Sequence, residues 1–295
     1  MHQDQPDTTC VVQYQDQYLN EVKYSVTKQE LQDLINGKWL TNSIINAYIT
    51  FFQKFCISSK LQIWITNSAF YVEKFTHFDH IDNKLNNLWT NCPGFQEASI
   101  IIFPLHVSGN HWSLVVAYLI EQKVVYFDSK YGESRYFNKS CLKWTVVFCQ
   151  KLVEKYHKLP PNTSWEISVA NVPQQIGDRD CGVFTILNAF FVIKASRLTF
   201  FPKDIKYTRE QIATDLLSNN FSGLPELFYH VPTSYTNSIP STTQLDILFR
   251  TMFRSTRNLS DTMAISPTAT TNTTTILTPI MPVTNINLEK LTIPK

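Results

Sequence analysis

Glycine is scarce in this sequence. Seven are spread over 295 residues, and no glycine-rich loop of the kind that cradles a phosphate is present. Paired cysteines are missing too. None of Cys10, Cys56, Cys92, Cys141, Cys149 and Cys181 sits in a C-x-x-C spacing, which excludes a zinc ribbon or a thioredoxin-type redox site. The gaps between the cysteines are wide, and a chain this long does not need disulfide staples. They read as reduced thiols of an intracellular protein. Neither sign of charge is in excess. The net charge of +2 gives no reason to expect nucleic acid or a membrane surface as partner. The N-terminus, "MHQDQPDTTC", lacks the basic and apolar regions of a signal peptide. The longest apolar run, "CGVFTILNAFFVI", has 13 residues with Thr185 and Asn188 inside it, too short to span a bilayer. His77 and His80, with Asp79 between them, have no cysteine pair nearby. No metal and no cofactor are expected.

What is present is core. The chain is 43% hydrophobic, enough for one large domain or somewhat more. "VTKQELQDLI" sets Thr27 and Glu30 at capping-box spacing before Leu31, Leu34 and Ile35, which predicts a short helix. "NSIINAYITFFQKF" puts Ile45, Tyr48, Ile49, Phe52 and Phe55 on one helical face, with Asn42 or Ser43 as cap. "LQIWIT", "SIIIFPL", "HWSLVVAYLI", "KVVYFDS" and "SWEISVA" read as strands. Only Glu121 and Gln122 separate the third from the fourth, so those two should form a tight antiparallel hairpin. "RYFNKSCLKWTVVFCQKLVEKYHK" reads as a long helix with Cys141, Trp144, Phe148, Leu152 and Tyr156 inward. A helix should open at or near Cys181 and run to about Lys194, and "TREQIATDLLSN" is a last one. From Ser255 onward Thr, Ser, Pro and Asn dominate, a composition that predicts a disordered tail.

The chemistry gathers around "VPQQIGDRDCGVF". Cysteine attacks as thiolate, and a helix N-terminus favours an anion there. Cys181 opens a helix. A thiol protease also needs a base and a group to orient it. His111 starts one hairpin strand and Asp128 ends the next, so the hairpin brings them to one sheet edge. Gln175, six residues before Cys181, offers an amide to a tetrahedral oxyanion beside the Cys181 N–H. Taken singly, each has a commonplace reading. Cys181 is then a buried thiol, His111 a strand residue, Asp128 a turn residue, and Gln174 and Gln175 loop polars. Jointly, the predicted elements bring nucleophile, base, orienter and oxyanion donor together.

"HW" at 111–112, "YFDS" at 126–129 and "PQQIGDRDCG" at 173–182 resemble the ubiquitin-like-protein-specific cysteine proteases, the family of the SUMO (sentrin) proteases and deneddylases, more distantly related to adenovirus proteinase. The order His, Asp, Gln, Cys is that family's, whereas papain-like enzymes run Gln, Cys, His, Asn. "VTKQELQDLINGKWLTNSIINAYI" resembles the family's N-terminal segment, and the similarity covers about residues 20–220. Arg209, in "YTREQ", fits it more loosely. The resemblance implies that Trp39 and Trp112 form a slot for an extended Gly-Gly, since two flat indoles admit only residues without a Cβ. Asn42 stands where the family usually has an acid, which leaves the modifier open. One residue more than usual separates His106 from His111. Asp178 and Asp180 set negative charge beside the thiol, with Arg179 as the expected offset.

These readings predict an α+β protein of the cysteine-proteinase fold, with a central, mostly antiparallel sheet flanked by helices. Residues 1–20 form an N-terminal extension, 21–222 the catalytic domain, 223–254 a C-terminal extension and 255–295 the tail. The implied activity is a cysteine-type peptidase or isopeptidase cutting after the Gly-Gly of a ubiquitin-like modifier. Catalysis falls to Cys181, His111, Asp128 and Gln175, and substrate binding to Trp39 and Trp112. The expected partner is the modifier and its conjugates, met by a monomer in nucleus or cytoplasm. Two alternatives stay open: a polyprotein-processing protease of a virus or mobile element with the same fold, and an inactive module that only binds a ubiquitin-like protein.

Overall fold

Thr27 caps the first helix as its spacing from Glu30 predicts. Its Oγ1 accepts from the Glu30 N–H at 3.2 Å, and Glu30 Oε2 accepts from the Thr27 N–H at 2.8 Å. Two orphan donors are thus satisfied reciprocally. This helix is α1, Lys28–Ile35. Before it, β1 (Cys10–Asp16) and β2 (Val22–Thr27) form an antiparallel pair, and β1 falls within the expected N-terminal extension. Next comes α2, Asn42–Ser58. Neither Asn42 nor Ser43 caps it. The cap is Thr41, whose Oγ1 accepts from the Ile44 N–H at 3.4 Å and donates to Glu30 Oε1 at 2.7 Å. One carboxylate therefore serves the starts of two helices, a link that no local pattern displays.

The computed structural model describes residues 10–16, 22–71, 81–107, 109–131, 139–157, 164–224 and 283–284. By their contacts, residues 1–224 with 279–295 form one unit and residues 225–278 another, and no residue of the second is described. The expected C-terminal extension beyond 224, most of the expected tail, and His77, Asp79 and His80 lie outside the described residues.

The main sheet runs β3 (Ile63–Ile65), β4 (Ile100–Val107), β5 (His111–Tyr118), β6 (Lys123–Phe127), β7 (Glu166–Ala170) and β8 (Val283–Thr284), in that spatial order. Its centre, β4–β5–β6, is antiparallel, while β3 joins β4 and β7 joins β6 in parallel. The predicted hairpin is present, but its connection is longer than Glu121–Gln122. The strands stop at Tyr118 and restart at Lys123, and Gln122 turns the chain with φ of 51°. Pro104 lies past the last β3 partner at Ile102, where that edge of β4 has no strand among the described residues. A residue without an N–H is tolerated there.

Both faces of β5 are covered, which is why apolar residues follow one another from Leu114 to Tyr118 without polar alternation. Val115 and Ala117 join a cluster with Phe103, Trp144 and Phe148, the last two from α5 (Lys139–Leu152). Trp112, Leu114 and Val116 alternate to the opposite face, on the side of α6 (Cys181–Ile193), every residue of which is buried. Helices α3 (Ile81–Asn91) and α4 (Pro93–Gln96) fill the β3–β4 crossover. Four asparagines make α3 a poor intrinsic helix; burial of Ile81, Leu85 and Leu88 in the cluster holds it. The last helix, α7, is Ile205–Ser218.

Helices α2 and α7 are tied by a buried contact, in which Tyr48 OH donates to Asp215 Oδ2 at 2.8 Å. Burial first, then the Asp215 charge, pushes the Tyr48 pKa well up. Tyr48→Phe keeps the ring and takes one donor from a buried carboxylate. The expected loss is about 1.5–3 kcal/mol, read as a lower urea midpoint at unchanged slope.

Candidate active site

Helix α6 begins at Cys181, and the residue after it explains how closely the helix start is packed. A Cβ on Gly182 would lie 2.8 Å from Leu40 Cβ and 3.3 Å from Trp112 Cδ1. Only glycine lets the helix tip approach both. Trp112 in turn donates its indole N–H to Leu40 O at 3.0 Å. The segment before α2, strand β5 and the cysteine turn therefore meet at one point.

His111 and Asp128 meet as the hairpin geometry predicts. His111 Nε2 donates to Asp128 Oδ1 at 2.7 Å. The other ring nitrogen is left for Cys181, with which His111 is hydrogen-bonded. Asp128 also accepts from Tyr126 OH at 2.8 Å and from the Lys130 N–H at 2.8 Å. His111 and Asp128 are each 2% exposed and Cys181 1%, so the whole chain of groups is dry. Burial by itself pulls the His111 pKa down. The hydrogen bonds to Asp128 and Cys181, with the negative charges of both, outweigh it and push the pKa up to about 9. His106 goes the other way, lowered by burial and by the charge of His111. It stacks on Trp112 at 4.5 Å between ring centres. Two other buried thiols respond to burial alone, which pushes Cys56 up to about 12 and moves Cys149 in the same direction.

Gln175 is held rather than loose. Its Nε2 donates to Gly177 O at 2.8 Å, its Oε1 accepts from Ser129 Oγ at 2.7 Å, and its main-chain N–H donates to Ser129 O at 3.0 Å. Gln174 stitches the same turn from its other end. Its Nε2 donates to Asp128 O at 3.0 Å and its Oε1 accepts from the Tyr131 N–H at 3.2 Å. Gln174 and Ser129 are thus part of the site's frame, and sequence reasoning missed both roles. The doublet "QQ" facing "DS" was the available signal.

Arg179 is exposed, and the expected offset comes from elsewhere. Asp178 pairs with Lys130. Asp180 pairs with Arg209, whose Nε and Nη2 donate to Asp180 Oδ1 at 3.1 and 2.7 Å. Arg209 is buried and also donates to Arg179 O at 2.9 Å, Leu34 O at 3.0 Å and Lys38 O at 2.8 Å. An exposed arginine next in sequence looked like the partner, yet a buried one from α7 takes the carboxylate.

The two indoles differ in exposure. Trp39 is 53% exposed and donates its N–H to Asp178 O at 2.8 Å, so it is not a core aromatic. Trp112 is 2% exposed and lies beneath the helix tip.

A buried helix that presents a cysteine to a histidine–aspartate pair on an antiparallel hairpin defines an α+β cysteine-proteinase fold. Comparison with known families is more specific. The chain belongs to the Ulp1 protease family, whose C-terminal catalytic domain matches residues 38–223. It is 24% identical over 195 residues to sentrin-specific protease 2 of Mus musculus, covering 66% of this chain and 32% of that protein. It is 27% identical over 201 residues to a putative ubiquitin-like-specific protease 1B of Arabidopsis thaliana, covering 65% and 58%. The chain thus spans about a third of the length of the mouse relative. Among solved structures, the Ulp1 protease domain in complex with Smt3, the yeast ortholog of SUMO, aligns with TM-score 0.53 at 22% identity, covering 70% of this chain and 89% of that one. The Chaetomium thermophilum Ulp1-like SUMO protease catalytic domain aligns with TM-score 0.58 at 18% identity, covering 70% and 84%. At those identities the structures speak for the fold. No helix among the described residues is long and apolar enough to cross a membrane.

Two measurements follow from this geometry. With a pKa of about 9, the His111 ring is protonated below that pH and neutral above it. A histidine-labelled sample followed by NMR should show that midpoint, and Asp128→Asn should lower it, because the imidazolium loses its carboxylate. A His111 midpoint at or below the ordinary value of about 6.5 contradicts the arrangement. Gly182→Ala drives a methyl into Leu40 and should cost about 1–3 kcal/mol, seen as a lower thermal midpoint.

Proposed function

We propose that this protein is a thiol peptidase or isopeptidase that cleaves after the C-terminal Gly-Gly of a ubiquitin-like modifier. The observation that carries the reading is the buried hydrogen-bonded chain Tyr126–Asp128–His111–Cys181 at the start of α6. In the reaction, Cys181 gives its thiol proton to His111, and Sγ adds to the carbonyl carbon of the terminal glycine as the C=O π pair moves onto oxygen. The oxyanion is met by the Cys181 N–H, an orphan donor of the helix start, and by an amide N–H of Gln175. The His111 imidazolium then protonates the departing amine as the C–N bond breaks, leaving a thioester. Neutral His111 takes a proton from water, and the hydroxide displaces the thiol as the carboxylate forms. Asp128 keeps the ring oriented and its charge matched throughout.

Trp39 and Trp112 are the proposed walls of the glycine slot. Cys181 is buried as it stands, so a substrate carbonyl needs room above it. In this reading Trp39, half exposed and hydrogen-bonded to Asp178 O, is the wall that moves to give that room. Support for a modifier as partner comes from the family and from the Ulp1 domain described in complex with Smt3. Deconjugation and precursor processing use the same bond chemistry, and such a protein acts inside the cell, in nucleus or cytoplasm. Residues 21–222 are the proposed catalytic domain.

The test is a panel of modifier–Gly-Gly probes bearing a thiol-reactive C-terminus, with matching fluorogenic reporters. The wild type should form an adduct at Cys181 and release the fluorophore. Cys181→Ala should retain its fold by circular dichroism and lose turnover by about three orders of magnitude or more. Turnover by Cys181→Ala, or a wild type that binds modifier yet stays unlabelled, overturns the reading.

A further inference from the structure

The amide of Gln175 has four hydrogen-bonding positions, two acceptor and two donor. One donor goes to Gly177 O and one acceptor position to Ser129 Oγ. These two contacts fix which way round the amide stands. Gly177 O can only accept, so the NH2 end must face it. The Ser129 hydroxyl must then donate to the oxygen end. One N–H is left over. If the amide flipped, its oxygen would face the Gly177 carbonyl, and an acceptor would stand where the proposed function needs a donor.

Ser129 grips Gln175 twice, through its hydroxyl and through its carbonyl, which takes the Gln175 N–H. It is buried, at 2% exposed, and it directly follows Asp128. Gln174 holds the same turn through Asp128 O and the Tyr131 N–H, so the serine has a fixed base to act from. Burial of the serine also limits the competition of water for its hydroxyl.

We propose that Ser129 is a positioning residue: its hydroxyl holds the Gln175 amide in the one orientation that offers an N–H to the oxyanion. Ser129 touches neither the sulfur nor the substrate in this scheme, and it acts through Gln175 alone. The proposal rests on the functional reading above and refines it.

The experiment compares wild type, Ser129→Ala, Gln175→Ala and the double variant in two assays. One is turnover of a modifier–Gly-Gly reporter, which passes through an oxyanion. The other is alkylation of Cys181 by iodoacetamide, followed by peptide mass spectrometry across pH. Alkylation needs the thiolate and no oxyanion donor. Losing Gln175 should lower kcat by about 100-fold or more, and losing the Ser129 hydroxyl by about 10-fold. The double variant should be no slower than Gln175→Ala, since two residues acting as one unit do not multiply. Alkylation rate and its pH profile should be the same in all four. If Ser129→Ala slows alkylation as much as turnover, the serine serves the fold or His111, and the proposal fails. It fails equally if the two losses multiply. A wild type that turns over none of the reporters overturns the functional reading and this refinement with it, whereas an active wild type with either of the other outcomes overturns the refinement alone.

Discussion

The guanidinium of Arg209 is where segments remote in sequence become one site. It takes the carbonyls of Leu34, Lys38 and Arg179 and the carboxylate of Asp180, so α1, the stretch leading to Trp39 and the turn leading to Cys181 share one cation. A rigid planar fork suits that job, because its donors are fixed relative to one another. Remove the cation and three carbonyls and a carboxylate must be satisfied by something else in a place that holds little water. The rest of the site presumes this junction: Leu40 can meet Gly182, and Trp39 can reach Asp178 O, only while those segments stay together.

A second junction works from the opposite side. The Asp128–Tyr131 turn is bound to the loop before Cys181 by both side chains of the glutamine doublet and by the Lys130–Asp178 pair. The two junctions also settle the electrostatics. Asp178 and Asp180, set alone beside a thiolate, would oppose its charge. Each is matched by a cation, Lys130 and Arg209.

Much of this was legible locally. The Thr27–Glu30 box, the start of α6 at Cys181 and the approach of His111 to Asp128 follow from spacing, period and hairpin geometry, which are properties of short stretches. What failed was long-range. Thr41 caps α2 with its hydroxyl donating to a carboxylate eleven residues away in α1. The partner of Asp180 lies 29 residues on, and nothing in "GDRDCG" indicates that Arg179 will be passed over. The parallel neighbours of the antiparallel centre depend on crossovers, and α3 depends on a cluster its own sequence does not contain. Gly182 is the intermediate case. A glycine after a cysteine is visible in the sequence, but the reason for it is a Leu40 side chain more than a hundred residues earlier.

Burial is what makes the histidine pair effective and also what makes it costly. Taking an imidazolium and a carboxylate out of water opposes ionisation of both. The compensation is visible atom by atom: Asp128 has three donors, and His111 uses one ring nitrogen on Asp128 and is hydrogen-bonded to the sulfur as well. With those partners in place, the dry setting strengthens each contact and gives the ring no competing water to turn toward. A surface pair of the same residues would be screened and rotationally free. The hairpin, the doublet and Arg209 are therefore one solution to one problem, which is to hold the His111–Asp128 pair in a low-dielectric interior with its carboxylate fully hydrogen-bonded.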